Sequence, residues 1–288
     1  MKYIFVINSF TIGDRLDKLV KKIEKTSKKF KLDYVIEINN KNYSTEDILN
    51  KYKDGKNVIM AVGGDGMINR VLNGIVNTKN ILGFIPYGTG NDLYKTALRS
   101  LDELTKCDIV KINDRYFINV ACFGIDAEVA NNNNYMNSKY IPKNLKYIFS
   151  LIDTFFKYKN RDMKLIINDK TIDNKFATIA VCNASFYGNG FMIGPNSSVT
   201  DGLIDVYYAK DLTKWNILKL ILKLKRGKHE SSKDITKIKT EKLTIESLSS
   251  INCNIDGELL CDNKFNIEVI KNGITLYFNK ELIKEILK

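Results

Sequence analysis

Apolar and polar positions follow two different rhythms along the chain. Residues 3–7, 34–38, 58–62 and 81–86 are apolar runs of strand length, and a helical stripe follows each. Leu16, Leu19, Val20 and Ile23 recur at helical spacing after the first run. Residues 45–52 follow the second, with Ser44 or Thr45 as cap. Ile68, Val71, Leu72 and Ile75 follow the third, and a helix capped by Asn91 or Asp92 follows the fourth. Residues 8–13 read as a loop. Repeated strand–loop–helix units predict an open parallel sheet with flanking helices, its loops gathered at the carboxyl ends of the strands.

From about residue 108 the rhythm changes. Residues 108–112 and 116–123 read as paired strands about a turn at Asn113-Asp114. Short strands are then predicted at 163–167, 176–183, 203–209, 234–238, 242–247, 253–255, 265–270 and 274–278. Helices are predicted over 144–159, over 213–224 and at the end, 280–288; the polar tract 131–137 reads as a loop. The fold class is therefore α/β followed by β: a parallel α/β domain, then a mainly antiparallel sandwich or barrel. The predicted division is 1–122 plus 279–288 for the first domain and 123–278 for the second.

The stretch 57–75, NVIMAVGGDGMINRVLNGI, is the most informative. A buried strand breaks at Gly63-Gly64-Asp65-Gly66 and restarts as an amphipathic helix. Such a turn aims free N–H groups and the positive helix end at one point, where an anion, most often phosphate, is stabilised. An acid inside that loop repels the ligand unless a cation or a hydroxyl intervenes, so Asp65 points to a nucleotide with a divalent cation or a ribose nearby.

Composition changes this picture little. The 288 residues carry 45 basic and 33 acidic side chains, a net charge of +12, with much of the excess on lysine-rich helix faces. A solvated surface and an anionic partner both remain open. The helix at 213–224 sets Trp215, Ile217, Leu220 and Leu222 beside Lys214, Lys219, Lys223, Lys225 and Arg226; core packing and contact with an anionic bilayer both fit it. Five cysteines without a CxxC pair read as free thiols in a reducing cytoplasm. The single histidine, His229, reads as part of an exposed turn and excludes two-histidine metal sites. No signal peptide is expected and no membrane-length apolar run is present, so a cytoplasmic protein is expected. There is no P-loop, no GxGxxG and no protein-kinase motif set. With no basic–aromatic platform, no nucleic-acid partner is expected.

Four motifs occur in order: Gly63-Gly64-Asp65-Gly66, Gly88-Thr89-Gly90-Asn91-Asp92, Gly124-Ile125-Asp126-Ala127 and Asp256-Gly257-Glu258. On these the chain resembles, over nearly its whole length, the diacylglycerol kinase catalytic family, which includes soluble bacterial lipid kinases and the sphingosine and ceramide kinases. Through the GGDG turn it is more distantly similar to NAD kinases and phosphofructokinases. The resemblance implies a two-domain kinase with ATP and Mg²⁺ in the cleft between the domains. It implies that Asn8, Gly63, Gly64, Asp65, Gly66, Gly88, Thr89, Gly90, Asn91 and Asp92 hold the nucleotide. Asp256 matches the family's base and Glu258 its helper. Asp201 and Leu203 match a segment that holds a structural Mg²⁺, and Asp126 matches an acid near the domain junction. The acceptor implied is a lipid hydroxyl, met by peripheral contact at the inner membrane face.

Three departures stand against the family pattern. Met67 occupies the place of a threonine, Arg70 that of a glutamate, and the first loop reads Asn8-Ser9-Phe10-Thr11-Ile12-Gly13. Phosphorylation of a diacylglycerol-like lipid leads the expectations. A kinase for NAD or another soluble alcohol, and a weakly active nucleotide- or lipid-binding regulator, stand beside it. A homodimer is left open.

Overall fold

The computed structural model describes residues 1–124, 127 and 158–288. The helix expected over 144–159 lies outside the described residues except for 158 and 159, which are not helical; the tract 131–137 and Asp126 also lie outside them. The chain divides into two compact units, Met1–Ile109 with Ile270–Lys288, and Val110–Val269. Elements are numbered among the described residues.

The first unit begins with β1 (Tyr3–Asn8), α1 (Ser9–Ile12), a 3₁₀ turn at Gly13–Arg15 and α2 (Leu16–Lys29). The loop expected at 8–13 is thus largely helical, because the Asn8 side chain caps α1 by accepting from the Phe10 N–H. Then come β2 (Tyr34–Asn39) and α3 (Thr45–Tyr52), which Ser44 and Asp47 open with a reciprocal capping box. β3 (Val58–Gly63), α4 (Asp65–Ile75), β4 (Ile81–Pro86), α5 (Asp92–Ser100) and β5 (Leu104–Ile112) complete the series. β3 and β4 are buried at every position, as strands covered on both faces must be.

The second unit contains β6 (Arg115–Phe117), β7 (Val120–Gly124), β8 (Arg161–Ile167), β9 (Lys170–Cys182), β10 (Ile204–Lys210), α6 (Lys214–Leu224), β11 (Thr236–Thr240), β12 (Lys242–Ile255) and most of β13 (Glu258–Tyr277). α7 (Lys280–Leu287) returns the chain to the first unit. There the strand order is β2-β1-β3-β4, all parallel, and Leu276-Tyr277 of β13 add to β4, also parallel. α7 packs on α2, and its Glu285 pairs with Lys29 at 3.1 Å.

The second unit is antiparallel. β9 and β12 are long strands that each share one edge between two neighbours, β8 along one half and β7 along the other. β10 and β11 extend the β9 side. The enclosed core includes Phe117, Phe123, Phe176, Phe265, Leu165 and Ile245. The two strand pieces expected at 242–247 and 253–255 are one strand carrying a register shift between Glu246 and Ile251. Conversely, the single strand expected over 116–123 is split at Ile118-Asn119, whose backbone N–H groups turn away to a buried carboxylate.

His229 is buried, 1% exposed, and not part of an exposed turn. Gly227 adopts φ +64°, which lets the chain fold back as a 3₁₀ turn over Lys228–Ser231 and lays the ring against Tyr207 at 5.4 Å. Its Nε2–H donates to the Ile193 carbonyl at 2.9 Å, and burial holds its pKa below the ordinary histidine range.

Candidate functional site

In the first unit the strand register fixes where the motifs fall. Asn8 lies opposite Asn39, and Gly63 opposite Pro86, so the loops after β1, β2, β3 and β4 leave from one edge of the sheet. The two glycine motifs meet there. The Tyr87 N–H donates to the Gly63 carbonyl at 2.8 Å, and a Cβ on Gly88 would stand 2.4 Å from the Gly64 Cα. Only bare backbone allows that approach. Gly63 is constrained from its other side, since a Cβ there would lie 2.8 Å from the Met67 Cβ.

Asp65 is the joint between the two loops. Its Oδ1 accepts from the Asp92 N–H at 2.8 Å and the Leu93 N–H at 3.2 Å. The carboxylate at the start of α4 therefore caps the N-terminus of α5, where a negative charge is favoured. The N–H groups at that helix end give the Asp65 carboxylate donors within the protein itself. The N-terminal N–H groups of α4 itself precede its first intrahelical bonds. Of these, the Met67 N–H already turns back to the Gly64 carbonyl at 3.0 Å.

Asn91 takes the left-handed conformation at φ +52°, and its side chain closes its own loop. It accepts from the Gly88 N–H at 3.0 Å and donates to the Gly88 carbonyl at 2.9 Å. Asp92 is buried and paired with Lys95 at 3.0 Å; Lys95 also donates to the Gly90 carbonyl at 2.7 Å. Thr89 is exposed between them. Two cations that motif reading passed over thus belong to this edge: Lys95, and Arg15, whose guanidinium lies 5.2 Å over the Tyr87 ring. Lys95 is one turn into α5, a spacing that carries no signal in sequence alone. Met67 is 6% exposed and packs beside Gly63, so the departure there is a core side chain. Arg70 faces Glu46 at 3.9 Å in a solvent-exposed pair worth at most about 1 kcal/mol.

Burial, ahead of the neighbouring Asp92 charge, holds the Asp65 carboxyl above its ordinary range, against the pull of the two N–H bonds and Lys95. A carboxyl raised in the folded state contributes stability while protonated, and that contribution is lost as pH rises through its folded value. Asp65→Asn keeps an accepting oxygen and removes the titration. Its stability relative to wild type is expected to improve from about pH 4 upward. Denaturation at a series of pH values checks this; parallel curves for the two proteins would refute it.

In the second unit Asp256 and Gly257, at φ +51° and +95°, form the two-residue turn between β12 and β13. Asp256 is buried, and its carboxylate accepts from Ile118 N–H at 2.9 Å, Asn119 N–H at 3.1 Å and Val120 N–H at 3.0 Å. Asn183 supports the same segment by donating to the Ile118 carbonyl at 2.8 Å. Glu258, next to the turn, is half-buried.

Asp201 and Leu203 are held by different partners. Asp201 Oδ1 accepts from the Leu203 N–H at 3.1 Å, and Oδ2 pairs with the Lys239 ammonium at 2.9 Å. Lys239 also reaches Asp205 at 3.9 Å, and no group of three metal-ligating side chains gathers among the described residues. The donor set is that of an ion pair and does not fit a resident divalent cation, since an ammonium already neutralises the carboxylate.

The model of the diacylglycerol kinase catalytic domain matches residues 2–120, and that of the YegS C-terminal NAD kinase beta sandwich-like domain matches residues 119–278. A Staphylococcus aureus (strain MSSA476) protein named "Putative lipid kinase" is 27% identical over 260 residues, 85% of this chain and 82% of that one. A Staphylococcus carnosus (strain TM300) protein of the same name is 26% identical over 237 residues, 77% and 76% of the two chains. Among solved structures, "A putative diacylglycerol kinase from Bacillus anthracis str. Sterne" superposes with a TM-score of 0.77 at 21% identity, over 98% of both chains. A second structure from that strain, of a diacylglycerol kinase, superposes with a TM-score of 0.72 at 18% identity, again over 98% of both. These two likenesses carry the fold; with both family models matched in order from residue 2 to residue 278, the chain belongs to the diacylglycerol kinase catalytic family.

Proposed function

We propose that the protein transfers the γ-phosphate of ATP, taken as its Mg²⁺ complex, to the hydroxyl of a diacylglycerol-like lipid. The observation that carries this reading is the junction of the two glycine loops, with Asp65 locked onto α5 and Gly64 against Gly88. Arg15 supplies positive charge at that edge, and Lys95, paired with Asp92, braces the second glycine loop. Phosphoryl transfer asks mainly for positioning and charge neutralisation, to which backbone N–H groups, Arg15 and the metal of the MgATP complex would contribute. In this reading the acceptor oxygen bonds to the γ-phosphorus as the bond to the β–γ bridging oxygen breaks and ADP leaves. Asp256, oriented by three N–H groups, takes the hydroxyl proton, and Glu258 assists. No step passes through Asp201.

The second unit also holds a small hollow of about 40 Å³, lined by Ala177, Ala180, Ile193, Ile217, Leu220 and Leu224 together with Thr178, Tyr207 and His229, which is mostly apolar but far smaller than an acyl chain. The names of the staphylococcal relatives agree with a lipid acceptor. NAD is the control acceptor, because the family of the second unit carries NAD kinase in its description. The test is incubation with MgATP and diacylglycerol, total lipid extract or NAD, with mass spectrometry of the products. Phosphorylated lipid is expected; NADP without phospholipid product would overturn the proposal.

A further inference from the structure

Helix α6 carries apolar side chains on two opposite sides. Ile217 and Leu220 are buried, 6% exposed each, and line the cavity together with Leu224. Trp215 and Leu222 are 74% and 70% exposed. They stand seven residues apart, which places them two turns apart on one stripe. A helix apolar on both sides has a second medium to meet. Its charges say which. Between Thr213 and His229 the chain has Lys214, Lys219, Lys223, Lys225, Arg226 and Lys228 and no acidic residue. By helical spacing Lys219 and, just past the helix end, Arg226 fall within about 40° of the Trp215–Leu222 stripe.

We propose that α6 docks the protein on an anionic phospholipid bilayer. Trp215 and Leu222 enter the headgroup boundary, and Lys219, Lys223, Lys225 and Arg226 extend apolar stems along it to meet lipid phosphates. A protein partner or a second copy of this chain would also cover Trp215 and Leu222, but neither accounts for a charge of one sign around them. The docking rests on the helix alone.

Trp215 is the single tryptophan of the chain, so intrinsic fluorescence reports on this helix without labelling. The full-length protein is titrated with vesicles of phosphatidylcholine alone or of phosphatidylcholine with phosphatidylglycerol. The anionic vesicles are expected to shift Trp215 emission to the blue, brominated acyl chains to quench it, and high salt to reverse it. Lys219→Gln with Lys223→Gln is expected to weaken vesicle binding roughly thirtyfold. Leu222→Ser is expected to weaken it while sparing turnover of dispersed short-chain lipid. Co-sedimentation with unchanged emission would place docking elsewhere and overturn the proposal. So would the absence of any vesicle binding, or a blue shift that needs only higher protein concentration. The readout uses no ATP, so a blue shift without kinase activity refutes only the kinase reading, and turnover of dispersed lipid without a shift refutes only the docking.

Discussion

Asp256→Ala is expected to destabilise the protein by about 3–5 kcal/mol, among the largest single-residue effects in this chain. Three buried N–H groups, of Ile118, Asn119 and Val120, lose their acceptor at once. Each buried donor left unpaired costs about 1–3 kcal/mol, less where water enters. Asp256→Asn retains one accepting oxygen and is expected to cost about 1–2 kcal/mol. The pair of variants separates two roles of one carboxylate. Denaturant midpoints report the hold on residues 118–120, and lipid-kinase turnover reports proton transfer. If Asp256→Asn keeps most of its stability but loses turnover, the proton role stands. If Asp256→Ala melts with wild type, the account of the buried turn is wrong.

Gly88→Ala is the second large effect. The new Cβ would sit 2.4 Å from the Gly64 Cα and 3.0 Å from the Gly64 nitrogen. Both are backbone atoms at a strand-to-helix turn, so no rotamer change relieves the contact and the loops must part. The expected cost is about 1–3 kcal/mol in stability. Turnover is expected to fall by about a hundredfold, as for a displacement near 1 Å at a reacting site. Gly64→Ala is the internal comparison, because its Cβ would lie 3.3 Å from the Gly88 Cα and calls for a shift of only tenths of an ångström. Thermal melts and initial rates on both variants check the ranking; equal effects would sink the steric account.

What could be read in advance follows from the range of each interaction. The parallel unit was legible because β3 and β4 are apolar throughout and end in glycine or proline turns, a local signal. The order of the motifs was legible for the same reason. What joins the motifs was not. The bonds from Asp65 to Asp92 and Leu93 cross 27 and 28 residues, and those from Asp256 to Asn119 and Val120 cross 137 and 136. Nothing in either local pattern states that an acid beside a glycine will cap a helix or clamp a strand elsewhere. His229 fails differently. Its neighbours Lys228 and Glu230 look like a surface turn, and only the left-handed Gly227 sends the ring inward. Met67 looked like a missing hydroxyl because spacing carries no direction; burial against Gly63 gives it one.

β13 leads to a statement about synthesis. Its first residues belong to the second unit and its last ones complete the first, which also claims α7. The second unit is continuous in sequence, Val110–Val269, whereas the first is interrupted by it. On a ribosome, the unit begun first is therefore finished last. β1 to β4 emerge early and wait with one sheet edge and the α2 surface uncovered until residues 270–288 follow. The inserted unit has all its strands by residue 269 and is able to close before them. A nascent chain stalled before Ile270 holds a complete second unit beside an open first one, an exposed parallel edge of the kind that chaperones bind.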